Sequence, residues 1–104
     1  MNIDVKDARL EKQLKAIADP ARRRILELLK RKGGCSCDDV ASCDTGKCVC
    51  DLEADLKLSQ PTITHHVQAL REAGLIETKK IGRWLYCCRD ETALNQLAAW
   101  MKGL

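Results

Sequence analysis

Long apolar runs are missing from this 104-residue sequence. A membrane-spanning helix requires about 18 consecutive apolar residues, and no stretch comes near that length, so we expect no contact with a membrane. Residues 1–7 are too polar for a signal peptide, and we therefore expect the chain to stay in the cytoplasm. Internal repeats and linkers are also missing, which predicts a single domain over residues 1–104.

The sequence also lacks the residue patterns of an enzyme. It has no nucleophile beside a base in a recognisable setting, no glycine-rich phosphate loop and no well-placed pair of catalytic carboxylates. We expect neither catalysis nor a permanently bound cofactor. What the chain does have is seven cysteines, an odd number that suits metal binding or redox sensing in a reducing compartment better than a disulfide framework.

Charge is distributed unevenly along the chain. Residues 35–55 carry six acidic side chains and one lysine, a net charge of −5, whereas residues 57–89 carry six basic and two acidic side chains, a net charge of +4. Two oppositely charged regions in one small protein indicate two kinds of ligand, a cation for the first and an anion for the second.

Apolar periodicity and start and stop signals predict about five helices and one β-hairpin. The helices are expected at about 6–18, 20–32, 51–58, 60–73 and from about 90 onward, with strands at 75–80 and 84–88 around Gly82. A Cys- and Asp-rich loop is expected at about 33–50. The fold class is therefore α+β, mainly helical, a winged helix-turn-helix with a two-stranded wing.

A short helix, a tight turn, a second helix and a basic hairpin form a unit suited to duplex DNA, because the second helix fits the major groove and wing cations meet phosphates. The predicted DNA-contacting residues are Ser59, Gln60, Thr62, Thr64, His65, Gln68, Lys79, Lys80 and Arg83. Ser59 is also the expected N-cap. His66 falls between apolar positions, which favours a buried, hydrogen-bonded structural role.

Five cysteines within sixteen residues form a soft-ligand cluster that favours thiophilic ions. They are Cys35, Cys37, Cys43, Cys48 and Cys50. Residues two apart on a helix point in nearly opposite directions, so we expect Cys48 and Cys50 to grip one ion only if the start of the third helix unwinds. Alternatives are a structural zinc ion held by the loop and an iron–sulfur cluster. On the wing strand, Cys87 and Cys88 should face opposite sides, one in the core and one at the surface.

Four segments resemble the ArsR/SmtB family of metal-sensing repressors. They are DPARRRIL (19–26), CVCDL (48–52), SQPTITHHV (59–67) and LREAGL (70–75), and the similarity runs over nearly the whole chain. The resemblance implies a homodimer joined through the first and last helices, repression of operator DNA without the ion and release with it. It also implies that Cys48 and Cys50 are paired ligands.

The sequence departs from that family pattern at informative positions. Arsenic sensors often place a third cysteine where this chain has Glu53, so a third thiolate must come from the loop or from Cys87 or Cys88. The last helix lacks the histidine and acidic ligands of zinc and nickel sensors. Three thiolates suit As(III) or Sb(III), and four or more suit Cd(II), Pb(II) or Zn(II). Arsenic is the first choice, and a small cysteine-based redox protein is the alternative in another class.

Overall fold

A computed structural model of the chain describes residues 5–30 and 47–104. In these residues the chain forms five helices and three strands. The helices are α1 (Val5–Ile17), α2 (Pro20–Leu29), α3 (Val49–Leu56), α4 (Gln60–Glu72) and α5 (Glu91–Lys102), and the strands are β1 (Lys47–Cys48), β2 (Ile76–Ile81) and β3 (Trp84–Arg89). The mainly helical α+β class and the helix order agree with the sequence prediction.

Local capping chemistry sets the helix starts. The Asp19 carboxylate accepts hydrogen bonds from the backbone N–H groups of Ala21 (2.8 Å) and Arg22 (3.4 Å), with Pro20 in the first turn of α2. Asp90 caps α5 in the same way through the N–H of Ala93. These side chains satisfy donors that the first turn of a helix leaves without partners. Three predicted bounds were wrong: α2 ends at Leu29 rather than at about residue 32, and α3 spans Val49–Leu56 rather than residues 51–58.

The turn between α3 and α4 is short and has a defined backbone conformation. Lys57 has φ of 57°, in the left-handed region, and its N–H donates to the Glu53 carbonyl at 2.8 Å. Two residues later Ser59 caps α4 and accepts from the Thr62 N–H at 3.4 Å. Gly74, with φ of 80°, ends α4 as predicted, because glycine has no Cβ to oppose this conformation. The predicted cap at Ser59 and the predicted stop at Gly74 are therefore confirmed for α4.

The wing is an antiparallel hairpin in which Ile76 pairs with Arg89 and Ile81 with Trp84, and Gly82 (φ 64°) lies in its turn. The predicted two-stranded wing is confirmed. The structure adds a two-residue strand, β1, that pairs antiparallel with β3, so the sheet order is β1-β3-β2. We expected Lys47 to lie in the loop, and that was wrong. Its pairing opposite Cys87 brings the start of α3 against the wing.

The core lies where the helices meet the inner face of the hairpin. Its most completely buried side chains are Ile25, Leu52, Ile63, Leu70, Leu75 and Cys87. Cys87 is 0% exposed, whereas Cys88 is half-buried, which agrees with the expected alternation along a strand. Cys87 is thus part of the core.

Residues 33–46 of the predicted Cys- and Asp-rich loop, which include Cys35, Cys37 and Cys43, lie outside the described residues. Within residues 5–30 and 47–104, none of the helices has the length and apolar character needed to cross a lipid bilayer.

Candidate nucleic-acid interface and thiol site

All nine predicted DNA-contacting side chains are exposed. Four of them, Gln60, Thr64, His65 and Gln68, line one open groove of about 450 Å³ along α4, together with Pro61. Their spacing of three or four residues places them on one face of the helix. The buried side chains Ile63, Val67 and Leu70 anchor the opposite face in the core. The arrangement presents short and planar hydrogen-bonding groups to the outside on a fixed helix.

Ser59 and Thr62 are joined at the start of α4. Their hydroxyl oxygens are 2.9 Å apart, in addition to the cap that Ser59 makes to the Thr62 N–H. This pair fixes the first turn of the helix that carries Gln60. The contribution of both hydroxyls to DNA binding stays a prediction.

The wing carries the predicted phosphate contacts. Lys79 and Lys80 are exposed on β2, opposite Tyr86 and Leu85 of β3. Arg83 lies in the turn, and its guanidinium carbon is 5.4 Å from the ring centroid of Trp84. A cation–π contact of this length restricts the arginine side chain. Because Trp84 is 46% exposed, this stacked pair lies at the surface of the wing.

Two side chains from other helices hold α4 in place. The Arg22 Nε donates to His66 Nδ1 at 3.0 Å, and the buried Gln13 amide of α1 donates to the Ala73 carbonyl at 3.2 Å. Burial lowers the pKa of His66 from 6.5, the Arg22 charge lowers it further, and the Asp19 charge opposes both. A neutral imidazole can accept at Nδ1 and a protonated one cannot. The hydrogen-bonded structural role expected for His66 is confirmed, with the side chain half-buried.

Acid should therefore weaken the folded protein through His66. Because its pKa is lower in the folded state, the unfolded chain binds more protons below pH 6.5, and stability falls as the pH drops through that range. We expect the free energy of unfolding, measured by urea denaturation, to decrease from pH 7.5 to 5.5. His66→Gln should flatten this dependence, whereas His65→Gln, the matched change at the exposed neighbour, should preserve it. Equal pH profiles for the wild type and His66→Gln would contradict this role.

Cys48 and Cys50 converge at the start of α3. The Cys50 thiol donates to the Cys48 Sγ, and the two sulfur atoms are 2.9 Å apart. Cys48 is the N-cap of the helix, with extended φ and ψ of −73° and 147°, and only Cys50 is helical. The two thiols therefore converge without unwinding of α3, because the regular helix through both cysteines on which the expected divergence depended is not formed at Cys48. The change from strand to helix at Cys48 turns its side chain toward that of Cys50.

Both described thiols with large pKa shifts are protonated at neutral pH. The hydrogen bond to Cys48 raises the pKa of Cys50 to about 11, and burial and the charges of Cys48 and Asp51 act in the same direction. Burial raises the pKa of Cys87 to about 12. A protonated thiol is a poor nucleophile, so the environment of Cys50 suits capture of an ion that displaces the proton. It does not suit spontaneous thiol chemistry.

The thiol pair lines a pocket of about 200 Å³ together with side chains of α3, α4 and the wing. From α3 the lining includes Glu53, from α4 it includes Gln60 and Thr64, and from the wing it includes Arg83 and Trp84. Soft sulfur donors in this lining fit a thiophilic ion. In the described ranges, no set of three His, Cys, Asp or Glu side chains is grouped to hold a metal ion. A third thiolate from Cys35, Cys37 or Cys43 would come from outside those ranges.

Sequence reasoning missed three side chains that shape the α4 surface, the wing and the thiol pocket. Trp84 was assigned only to a strand, and Arg22 and Gln13 were not singled out, because their roles depend on contacts 44 and 60 residues away along the chain. Glu53 was noted only as the residue that replaces a third cysteine. For Trp84 the sequence offered one signal, a tryptophan directly after an arginine in the turn of the wing.

The sequence of this chain is similar to a known domain family and to known transcriptional regulators. A family model described as a helix-turn-helix domain matches residues 17–79. The transcriptional repressor SdpR of Bacillus subtilis is 36% identical over 87 residues, which cover 84% of this chain and 82% of SdpR. The arsenic resistance transcriptional regulator ArsR1 of Pseudomonas putida is 33% identical over 90 residues, 86% of this chain but only 61% of that protein.

Solved structures give the same fold. The homodimeric winged helix-turn-helix domain Mb0332 of Mycobacterium bovis superposes with a TM-score of 0.67, at 21% identity, over 97% of this chain and 85% of that one. At that identity the likeness concerns the fold. Taken with the repressor SdpR, the regulator ArsR1 and the motifs along α2, α3 and α4, these matches identify a DNA-binding regulator rather than an enzyme. The chain belongs to the ArsR/SmtB family of winged helix-turn-helix transcriptional repressors.

Proposed function

We propose that this repressor binds operator DNA as a cytoplasmic homodimer and releases it when Cys48 and Cys50 capture a thiophilic ion. The observation that carries the proposal is the 2.9 Å approach of the two sulfur atoms at the start of α3, in a pocket that also contains Gln60 of the DNA-reading helix. The protonated Cys50 thiol argues against the small redox protein considered as the alternative.

Duplex DNA is the partner that the exposed face of α4 and the wing support. Gln60 and His65 offer hydrogen bonds to base edges in the major groove, and Lys79, Lys80 and Arg83 offer cations to phosphates. All of these side chains are exposed, so they are accessible to the DNA backbone and to base edges. DNA affinity should therefore fall steeply as salt concentration rises.

A homodimer is supported by apolar side chains that the single chain leaves exposed. Trp100 is 40% exposed, Met101 43% and Leu104 87%, all at the end of α5. Leu10 and Leu14 of α1 are only partly buried. A stable protein rarely leaves several large apolar groups of one region in water, and pairing of two chains through α1 and α5 would cover them. Sedimentation of the reduced protein should give the mass of a dimer.

As(III) or Sb(III) is the first choice of inducer, and Cd(II), Pb(II) or Zn(II) is the second. The arsenical relative ArsR1 supports the first. The sulfur pair accepts either class, since thiolates are soft ligands. Cys35, Cys37 and Cys43 remain the proposed sources of further thiolates. The number of thiolates recruited separates a three-coordinate metalloid from a four-coordinate metal.

The test is fluorescence anisotropy of the reduced protein on labelled DNA from upstream of its own gene, titrated anaerobically with arsenite and separately with cadmium chloride. Release by arsenite with about three thiolates bound per ion supports an arsenic sensor. Release by cadmium alone assigns the second class of ion. Failure of the protein to bind the DNA, or binding that neither ion reverses, contradicts the proposed function.

The two ions should also differ in pH dependence. Cd²⁺ must displace the Cys50 proton, whose pKa is raised to about 11, so its apparent affinity should rise at least about tenfold per pH unit between pH 6 and 8. Arsenite is present there as neutral As(OH)₃, and each As–S bond that forms releases one water molecule and no net proton. Its affinity should stay flat. Competition titrations against a small dithiol, itself measured at each pH, check both slopes, and a flat cadmium profile would contradict the account.

A further inference from the structure

The thiol pair and several side chains predicted to contact DNA line one and the same pocket. Its volume is about 200 Å³, and its lining comes from the start of α3, from α4 and from the wing. Cys48 and Cys50 belong to this lining. Gln60, Thr64 and Arg83, three of the side chains predicted to contact DNA, belong to it as well.

We infer that the captured ion acts on DNA binding by direct contact inside this pocket. The side of the ion that the thiolates leave open meets Gln60, Thr64 and Arg83. This inference rests on the proposed function and specifies how the ion site regulates it. The sulfur atoms already converge at 2.9 Å, so capture does not need α3 to unwind. The ion and the ligands that complete its coordination would occupy the pocket that Gln60, Thr64 and Arg83 also line.

Arg83 is the side chain on which this contact has the clearest consequence. Its guanidinium is held over Trp84 at 5.4 Å, beside the pocket. An ion held by the thiolates, together with the ligands that complete its coordination, takes space next to the guanidinium, so Arg83 leaves the position from which it would reach a phosphate. The same ion also acts on Gln60, the first residue of α4, at the end of the helix that would enter the major groove of the DNA.

Trp84 makes the occupant of the pocket measurable without DNA. The chain has two tryptophans, and the second, Trp100, lies on α5 and is absent from the pocket lining. The variant Trp100→Phe keeps only Trp84, which reports on the pocket. The variant Trp84→Phe keeps only Trp100, which is the matched control. Cadmium chloride is added to each reduced variant while thiolate-to-metal charge-transfer absorption and tryptophan emission are recorded together.

We expect the absorption and the Trp84 emission to change with the same midpoint in Trp100→Phe, and the emission of Trp84→Phe to stay constant. Charge-transfer absorption with unchanged Trp84 emission would overturn the inference and leave the proposed ion site intact. If no charge-transfer absorption appears in either variant, the proposed function itself fails, and the inference fails with it.

A second measurement uses DNA and does not depend on the tryptophan variants. If the ion already disengages Arg83, then Arg83→Gln weakens DNA binding of the ion-free protein but hardly changes that of the ion-bound protein. The ratio of the two affinities, typically about 5- to 150-fold for coupled sites, should then fall at least about threefold. Lys80→Gln, a matched change on β2 outside the pocket lining, weakens both states alike and preserves the ratio. Equal ratios for Arg83→Gln and the wild type would overturn the inference.

Discussion

Replacing both Cys48 and Cys50 by serine is expected to abolish ion-induced release while leaving operator affinity within about threefold of the wild type. The sulfur atoms are 2.9 Å apart in the structure and belong to no predicted DNA contact. A serine hydroxyl is a hard ligand that does not hold thiophilic ions. Anisotropy of the preformed complex during an arsenite or cadmium titration measures the release.

Ala54→Ser is the matched control for this experiment. It introduces a serine at an exposed position of the same helix and removes no thiol, so it should release DNA like the wild type. The assignment of the paired ligands is wrong if the double serine variant still dissociates at the same ion concentration. If the double serine variant loses DNA binding while Ala54→Ser keeps it, the result would instead indicate damage to α3, which circular dichroism detects.

The second large effect concerns the DNA-reading face. Gln60→Ala combined with His65→Ala is expected to weaken operator binding by at least about 30-fold, because each lost base contact costs about 1–3 kcal/mol. Both side chains are exposed in the groove along α4, so neither change should disturb the core. Ion binding, followed by charge-transfer absorption, should be retained because both cysteines remain.

Glu72→Gln provides the comparison on the same helix. It changes an exposed residue at the far end of α4, outside the groove, and should leave operator affinity unchanged or slightly tighter. Operator affinity that is unchanged in the Gln60 and His65 double variant would contradict the assignment of this face to DNA.

Local signals in the sequence were sufficient for most of the fold. Asp19 followed by proline, Ser59 at the turn and Gly74 after an apolar stripe marked boundaries that the structure reproduces, because capping depends on residues only two or three positions apart. The wing followed from two β-prone runs around Gly82. Strand β1 did not follow, since two residues carry no periodicity and their partners on β3 lie 40 and 38 residues away along the chain.

The thiol site shows where sequence reasoning stops. Composition located the cysteines, but their geometry was judged from regular helical spacing, although the predicted third helix began only at residue 51. In the structure Cys48 is extended because β1 leads directly into α3. The pocket that joins the thiols to Gln60 and Arg83 requires the wing to pack beside α3, a tertiary contact that no local pattern encodes. Whether Cys35, Cys37 or Cys43 completes the site stays a prediction.

The central claim is that ion and operator oppose each other through one free energy of coupling, and reciprocity provides its most direct test. If the ion lowers operator affinity by a given factor, the operator must lower ion affinity by the same factor. Cadmium affinity of the reduced protein should be measured by competition with a chelator, with and without saturating operator DNA. The account predicts that DNA weakens cadmium binding by the factor found in the anisotropy titration. Cadmium affinity that is unaffected by operator DNA would contradict it.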